Sequence, residues 1–178
     1  MNYIDEFLLI AVAHFFAVAS PGPDFAVVLK QSVQHGRRNA LWTSAGVGAA
    51  ILLHIAYCVL GVALVLTQSP ALFMALKYIA GAYLAYLGVQ ALRAAKPTNT
   101  SSEPTAKPSL AAESSWRAFR RGFFTNALNP KATLFFMSLF TLVISPTTPV
   151  IVQMGYGVYM ALATWAWFSI LSLLLSKA

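Results

Sequence analysis

The chain has 178 residues, of which 58% are hydrophobic and only 10% are charged, whereas soluble domains carry about 25% charged residues. This composition excludes a soluble domain, and an aromatic content of 13% excludes a disordered chain. Cys58 is the only cysteine, so the chain can form neither an internal disulfide nor a cysteine metal site. The apolar residues are gathered into long blocks, which indicates that lipid is the solvent.

Five apolar blocks are long enough to cross a hydrocarbon core as helices, which takes about 20 residues. Their interiors hold three charged residues, Asp24, Lys77 and Lys131. Because the blocks are apolar on every face, they lack the alternation of a barrel strand. The sequence therefore predicts an all-α, polytopic integral membrane protein with five transmembrane helices. The blocks are residues 7–29, 40–66, 71–92, 122–144 and 150–175.

The first block is interrupted at residues 20–24, where Pro21, Gly22 and Pro23 are followed by Asp24. Two prolines around a glycine cannot continue a regular helix. Irregular backbone at membrane depth is tolerated only where it is buried in protein or lines a cavity, and a charge there usually marks a pathway. The alternative is an ordinary proline kink.

The connections between the blocks differ in charge. Residues 30–39 and 93–121 carry several basic side chains, whereas residues 67–70 and 145–149 carry no charge. Because basic loops remain in the cytoplasm, we expect loops 30–39 and 93–121 to be cytoplasmic and the N-terminus to be extracytoplasmic. Residues 96–115 have the Pro, Ser, Thr, Ala and Lys content of a flexible linker.

The fourth block carries a second break, in which Asn126 and Asn129 precede Pro130 and Lys131. In both halves a proline is followed directly by a charge, which predicts that the two broken helices are equivalent. An offset of three spans inverts one half relative to the other, as in secondary transporters with inverted repeats. We therefore expect a single transporter domain built as an incomplete inverted 3+3 repeat. Its parts are a first repeat at 1–95, a cytoplasmic linker at 96–115 and an incomplete second repeat at 116–178.

Asp24 and Lys131 have the charges that a zwitterionic amino acid requires. The carboxylate of Asp24 would bind an ammonium group, and Lys131 or a helix N-terminus would bind a carboxylate. The alternative is that the two residues simply pair and neutralise each other. Asn126 and Asn129 share a helix face and either contact a ligand or satisfy the backbone freed by the break. The predicted substrate pathway comprises Pro21, Gly22, Pro23, Asp24, Asn126, Asn129, Pro130 and Lys131.

Two histidines, His14 and His54, lie within the spans and stay outside this predicted site. A proton relay is one interpretation of them. A neutral imidazole that is hydrogen bonded to a neighbouring helix is the interpretation that we favour.

Three segments carry a resemblance to a known family. They are residues 19–25 (ASPGPDF), 81–93 (GAYLAYLGVQALR) and 121–136 (RGFFTNALNPKATLFF), and a weaker match lies at 164–168 (TWAWF). In these segments the chain resembles the LysE/RhtB family of amino-acid exporters, in particular its homoserine and threonine efflux branch. The resemblance implies export of small neutral amino acids such as threonine or homoserine across the bacterial inner membrane, driven by protons, through six helices.

The sequence carries five of those six helices, so we expect the last one to be absent. Small polar side chains would then face lipid, and the chain would associate with a second copy or be a truncated, inactive or non-transporting membrane subunit. The residues expected at this lipid-facing surface are Ser138, Thr164, Ser169 and Ser172.

Other function classes lack support in the residues. The predicted spans hold a single acid, Asp24, and the sequence has no His-Glu-x-x-His pattern or Gly-x-Ser-x-Gly elbow, so we predict no enzymatic activity, no metal site and no cofactor. The formal net charge of +7 arises from basic residues that lie mostly where the membrane topology requires them and form no continuous face for nucleic acid. The expected partners are therefore the lipid bilayer, the amino-acid substrate and a coupling proton.

Overall fold

The computed structural model describes residues 2–94, 113–145 and 147–176. In these residues the chain forms seven α-helices and no strand. Most of the predicted linker, residues 96–112, lies outside the described residues. The helices are α1 (Tyr3–Ala19), α2 (Pro23–Gln34), α3 (Gly36–Gln68), α4 (Pro70–Ala94), α5 (Ser115–Ala127), α6 (Pro130–Leu142) and α7 (Val150–Leu175).

The predicted break in the first block is confirmed. Helix α1 ends where the Ser20 amide donates to the Phe16 carbonyl, and α2 begins with Pro23 in its first turn. Proline is favoured there because the first turn needs no amide donor. The two helices meet at an angle of 54°, and together they are long and apolar enough to form one bent span.

The predicted break in the fourth block is also confirmed, between α5 and α6. The side chain of Asn129 caps α6 by accepting a hydrogen bond of 3.0 Å from the Lys131 amide, and Pro130 occupies the first turn. An Asn cap satisfies one of the amides that have no partner within the helix. Asn129 therefore satisfies a backbone amide freed by the break, which is one of the two roles that the sequence leaves open for the asparagines.

Two of the described helices are long and apolar enough to span a membrane, Gly36–Gly61 within α3 and Val150–Leu175. The bent pair α1 and α2 makes a third. The remaining blocks contribute the shorter apolar helices Ala71–Tyr86 and Pro130–Leu142. The chain is thus an all-helical polytopic protein, and the count of five spans stays a prediction.

Helix α3 packs closely against both α5 and α7. A Cβ atom added to Gly122 of α5 would lie 2.0 Å from the Thr43 carbonyl oxygen, and one added to Gly46 of α3 would lie 2.0 Å from the Phe119 carbonyl oxygen. On the other side, a Cβ on Gly157 of α7 would lie 2.8 Å from Ile55. Small residues permit such close approach where lipid supplies no hydrophobic force between helices.

The expectation that hydroxyl side chains face lipid is wrong for Ser138, Thr164 and Ser172, which are all buried. Ser138 and Ser172 donate to the carbonyl oxygens four residues earlier in their own helices, at 2.7 Å each. Thr164 is hydrogen bonded to His14 at 3.0 Å. Thr164 and Ser172 face neighbouring helices because α7 packs against α1, α2 and α3, and Ser138 does so because α6 packs against α3 and α4.

Candidate functional site: a polar cavity between two broken helices

A cavity of about 50 Å³ lies between the two helix breaks, which is room for a few water molecules. Both polar and apolar residues line it. The polar side chains are those of His14, Ser20, Asp24, Asn126, Asn129, Lys131 and Thr164, Gly22 also lines the cavity, and the apolar side chains include Ile51, Phe135, Phe136 and Phe168.

Asp24 is held by the two asparagines of the second break. Its Oδ2 atom accepts hydrogen bonds from Asn126 Nδ2 and Asn129 Nδ2, each at 3.0 Å. In the described part of the chain, Asp24 Oδ1 and Asn126 Oδ1 are buried without a hydrogen-bond partner. Buried polar atoms are normally satisfied, so this pair of acceptors suits a donor group that occupies the cavity.

Lys131 does not form an ion pair with Asp24 in the part of the chain that the structure describes, because its Nζ atom lies more than 4.0 Å from the carboxylate oxygens of Asp24. Its Nζ atom instead donates to the Ser20 carbonyl oxygen at 2.9 Å, with the Pro21 carbonyl oxygen at 3.5 Å. The ammonium therefore neutralises the carbonyl end of α1, where the helix dipole is negative. Direct pairing of Asp24 with Lys131, the alternative left open by the sequence, is not the arrangement in this structure.

The structure brings the predicted site residues together. Gly22, Asp24, Asn126, Asn129 and Lys131 all line the cavity. The three prolines act through the backbone: Pro21 ends one helix with its carbonyl beside Lys131, and Pro23 and Pro130 each begin a new helix.

His14 and Thr164 both line the cavity, although neither belongs to the substrate pathway predicted from the sequence. Their hydrogen bond joins α1 to α7 across 150 residues of sequence, a distance over which helical spacing gives no signal. His54 is buried behind the cavity, where Nε2 lies 3.1 Å from the Asn126 carbonyl oxygen and the ring stacks on Phe136. Both histidines are hydrogen bonded to another helix, as predicted.

Two further carboxylates lie away from the cavity. Glu6, which directly precedes the first predicted span at 7–29, has none of its surface exposed. Glu113, at the end of the predicted linker, accepts hydrogen bonds from Gln31 and Arg121. Burial acts to raise the pKa of Glu113, but these hydrogen bonds and the charges of Arg121 and His35 outweigh it, so its pKa lies below the ordinary value.

An all-helical chain whose charged cavity lies between two broken helices has the architecture of a multi-pass membrane transporter. Residues 15–178 match the family model described as LysE type translocator. The chain therefore belongs to the LysE-type translocator family, and its resemblance to that family is confirmed.

Two relatives illustrate the similarity. The threonine efflux protein of Escherichia coli is 31% identical over 166 residues, which cover 93% of this chain and 80% of that protein. The leucine efflux protein of Salmonella typhimurium is 36% identical over 140 residues, which cover 78% of this chain and 63% of that protein. No solved structure matches the chain significantly.

Proposed function

We propose that the protein exports small neutral amino acids, such as threonine or homoserine, from the bacterial cytoplasm by a proton-coupled mechanism, with the cavity as the substrate site. The observation that carries the proposal is that the hydrogen-bonded cluster of Asp24, Asn126 and Asn129 lines one cavity with Lys131 at the junction of two broken helices. Relatives that are named for threonine and leucine efflux support the substrate class.

The ammonium group of the substrate would bind at Asp24. Oδ1 of Asp24 and Oδ1 of Asn126 are acceptors without a partner in the described residues. An ammonium group carries three donors, so it can satisfy both atoms. It would also supply the positive charge that Asp24 otherwise lacks at ion-pair distance.

The carboxylate group of the substrate would bind near Lys131. Its Nζ atom lies next to Gly22, since a Cβ atom added to that glycine would be 3.5 Å from Nζ. The first turns of α2 and α6 begin beside the cavity at Pro23 and Pro130, and helix N-termini favour negative charge. A substrate carboxylate would therefore replace the carbonyl oxygens of Ser20 and Pro21 as the hydrogen-bond acceptor of Nζ.

A pseudo-symmetry between the two halves supports the inverted repeat with five spans. Adding 107 to a number in the first half gives its counterpart in the second half. Pro23, which begins α2, corresponds to Pro130, which begins α6, and Asp24 corresponds to Lys131. The end of α3 at Gln68 corresponds to Leu175, the end of α7.

Proton coupling forms part of this proposal, with Asp24 as the group that exchanges an ammonium for a proton. The carboxylate faces the cavity and has two amide donors but no cation at ion-pair distance within the described residues. Protonation would remove the negative charge that binds the substrate ammonium. The carboxylate of Asp24 therefore binds either a proton or the ammonium group, but not the two together.

Purified protein in liposomes tests the function directly. Vesicles are loaded with radiolabelled threonine, homoserine or leucine, and efflux is measured with and without a pH gradient. Accelerated efflux that depends on the gradient is the expected result, and the variant Asp24→Asn should reduce it roughly 30-fold or more. Asp5→Asn serves as the matched control because Asp5 is an exposed acid in the first turn of α1, as Asp24 is an acid in the first turn of α2. Absence of efflux for every amino acid would favour a non-transporting membrane subunit instead.

A further inference from the structure

The carboxylate of Glu6 joins the start of α1 to the opposite half of the chain. Its Oε1 atom accepts hydrogen bonds from the Ser145 amide at 3.0 Å and from the Thr148 hydroxyl at 2.9 Å. Its Oε2 atom lies 2.9 Å from the same Thr148 hydroxyl and 3.2 Å from the Tyr156 hydroxyl. We call this contact between α1, the α6–α7 connection and α7 the Glu6 latch.

The carboxylate of Glu113 makes a corresponding contact at the other end of the bent α1 and α2 pair. Its Oε2 atom accepts from Gln31 Nε2 at 2.9 Å and lies 3.8 Å from His35 Nε2, both near the end of α2. Its backbone carbonyl accepts from Asn39 Nδ2 at 2.9 Å, and Arg121 lies 2.6 Å from Oε1. We call this contact between the start of α5 and the α2–α3 corner the Glu113 latch.

The two latches are equivalent under the same relation that links the two breaks. Adding 107 to 6 gives 113, so Glu6 and Glu113 occupy matching positions ahead of Pro23 and Pro130. The contacts are also reciprocal. Glu6 of the first half binds the connection that follows α6, and Glu113 ahead of the second half binds the corner that follows α2. Two unrelated contacts would not share both the spacing of 107 residues and the reciprocal binding between the two halves of the chain.

The latches lie beyond opposite ends of the cavity. Glu6 is thirteen residues before the end of α1 at Ala19, or roughly 20 Å along a helix. Gln31 is seven residues beyond Asp24 in α2, or roughly 10 Å in the other direction. Each latch joins the two halves of the chain, so relative movement of the halves at either end must break the latch there.

We propose that Glu6 and Glu113 are a pair of gate residues, each of which closes one end of the transport pathway. The inference rests on the proposed exporter function and deepens it. Both latches are formed in this structure, and the cavity has room only for a few water molecules. Opening one end breaks one carboxylate cluster and leaves the other intact, which is the alternation that a transporter with inverted repeats requires.

Access of a thiol reagent to the cavity tests the proposal. A single cysteine is introduced by Val18→Cys, at a residue that lines the cavity, in a Cys58→Ser background. Labelling by a membrane-impermeant thiol reagent is measured from each face, in intact cells and in inverted vesicles. Glu6→Ala should raise the labelling rate about tenfold from the face on which Glu6 lies, because the closed state loses a hydrogen bond to a charged group. Labelling from the other face should stay unchanged.

Glu113→Ala should give the opposite asymmetry. Glu6→Gln and Glu113→Gln keep the side-chain shape and remove only the charge, so they should shift labelling in the same directions by smaller factors. The matched controls are Asp5→Asn and Arg117→Gln, which alter exposed charges close to each latch.

An equal rise from both faces would show that the substitutions merely loosen the fold, and no rise from either face would show that the latches do not gate. Either result overturns the proposal. Transport is measured separately on the wild-type protein in liposomes. If the wild type moves no amino acid while the labelling asymmetry persists, the result contradicts the exporter function but still supports Glu6 and Glu113 as gate residues.

Discussion

The charge of Asp24, rather than its shape, is the feature that the proposed site depends on. Asp24→Asn preserves the size of the side chain but removes the carboxylate that would bind the substrate ammonium. Truncating one partner of a buried charge pair costs at least about 2 kcal/mol, so we expect export in liposomes to fall roughly 30-fold or more. Normal export by Asp24→Asn would contradict the site assignment, and Asp5→Asn should behave as wild type.

Glu113 gives the fold a dependence on pH whose sign is set by its lowered pKa. In the unfolded chain the carboxyl has its ordinary pKa of 4.5, and in the folded chain the pKa is lower. The unfolded state therefore binds the proton more readily, and the stabilisation is present above the ordinary value and lost as pH falls through the lowered one. We expect thermal stability in detergent to decrease below pH 4.5, and to decrease less in Glu113→Gln. Equal pH profiles for the two proteins would argue against this contribution.

The site residues differ in how well the sequence predicts them. Asp24 and Lys131 are predictable because a charged residue is unfavourable in lipid and is easily recognised within an apolar block. The proline that directly precedes each of them marks the helix break. Glu6 gives no such signal, since it lies near the chain start and its partners Thr148 and Tyr156 are 142 and 150 residues away. Its burial follows from tertiary packing alone.

At the scale of helices, the close approach of α3 and α5 yields a test with an internal control. A Cβ atom on Gly122 would lie 2.0 Å from the Thr43 carbonyl oxygen, whereas one on Gly155 of α7 would meet nothing within 4 Å. Overpacking typically costs 1–3 kcal/mol, and an unhindered Gly to Ala change in a helix gains roughly 0.5–1 kcal/mol.

We therefore expect Gly122→Ala to lower the thermal unfolding temperature in detergent and Gly155→Ala to leave it unchanged or raise it slightly. A temperature for Gly122→Ala equal to that of the wild type would mean that α5 can move away from α3 at little cost. Equal losses in both variants would mean that the effect does not arise from this helix contact.

Helix breaks are the elements that the sequence predicts best, because Pro21, Pro23 and Pro130 act locally on the backbone. Helix lengths are harder to predict. Helix α3 extends from Gly36 to Gln68, beyond the apolar block at 40–66. Its backbone hydrogen bonds form in polar sequence as well as in apolar sequence, so the apolar block does not mark where the helix begins and ends. Helix α5 carries Arg117, Arg120 and Arg121, so composition alone does not mark it as part of a span.

At the scale of the whole molecule, the distribution of charge predicts how the chain lies in the membrane. Basic side chains surround the end of α2 and the start of α5, whereas the α6–α7 connection at 145–149 carries no charge. Because basic loops remain in the cytoplasm, the Glu113 latch should face the cytoplasm and the Glu6 latch the outside.

Single cysteines at two sites, in a Cys58→Ser background, test this orientation. Asn99 belongs to the predicted cytoplasmic linker, and Thr147 is an exposed residue of the uncharged α6–α7 connection. In intact cells a membrane-impermeant reagent should label Thr147→Cys and leave Asn99→Cys unlabelled until the cells are permeabilised. Labelling of Asn99→Cys in intact cells would reverse the orientation, and with it the direction of each proposed gate. The pairing of Glu6 with Glu113 would remain, because it depends on contacts within the chain and not on which face of the membrane each one meets.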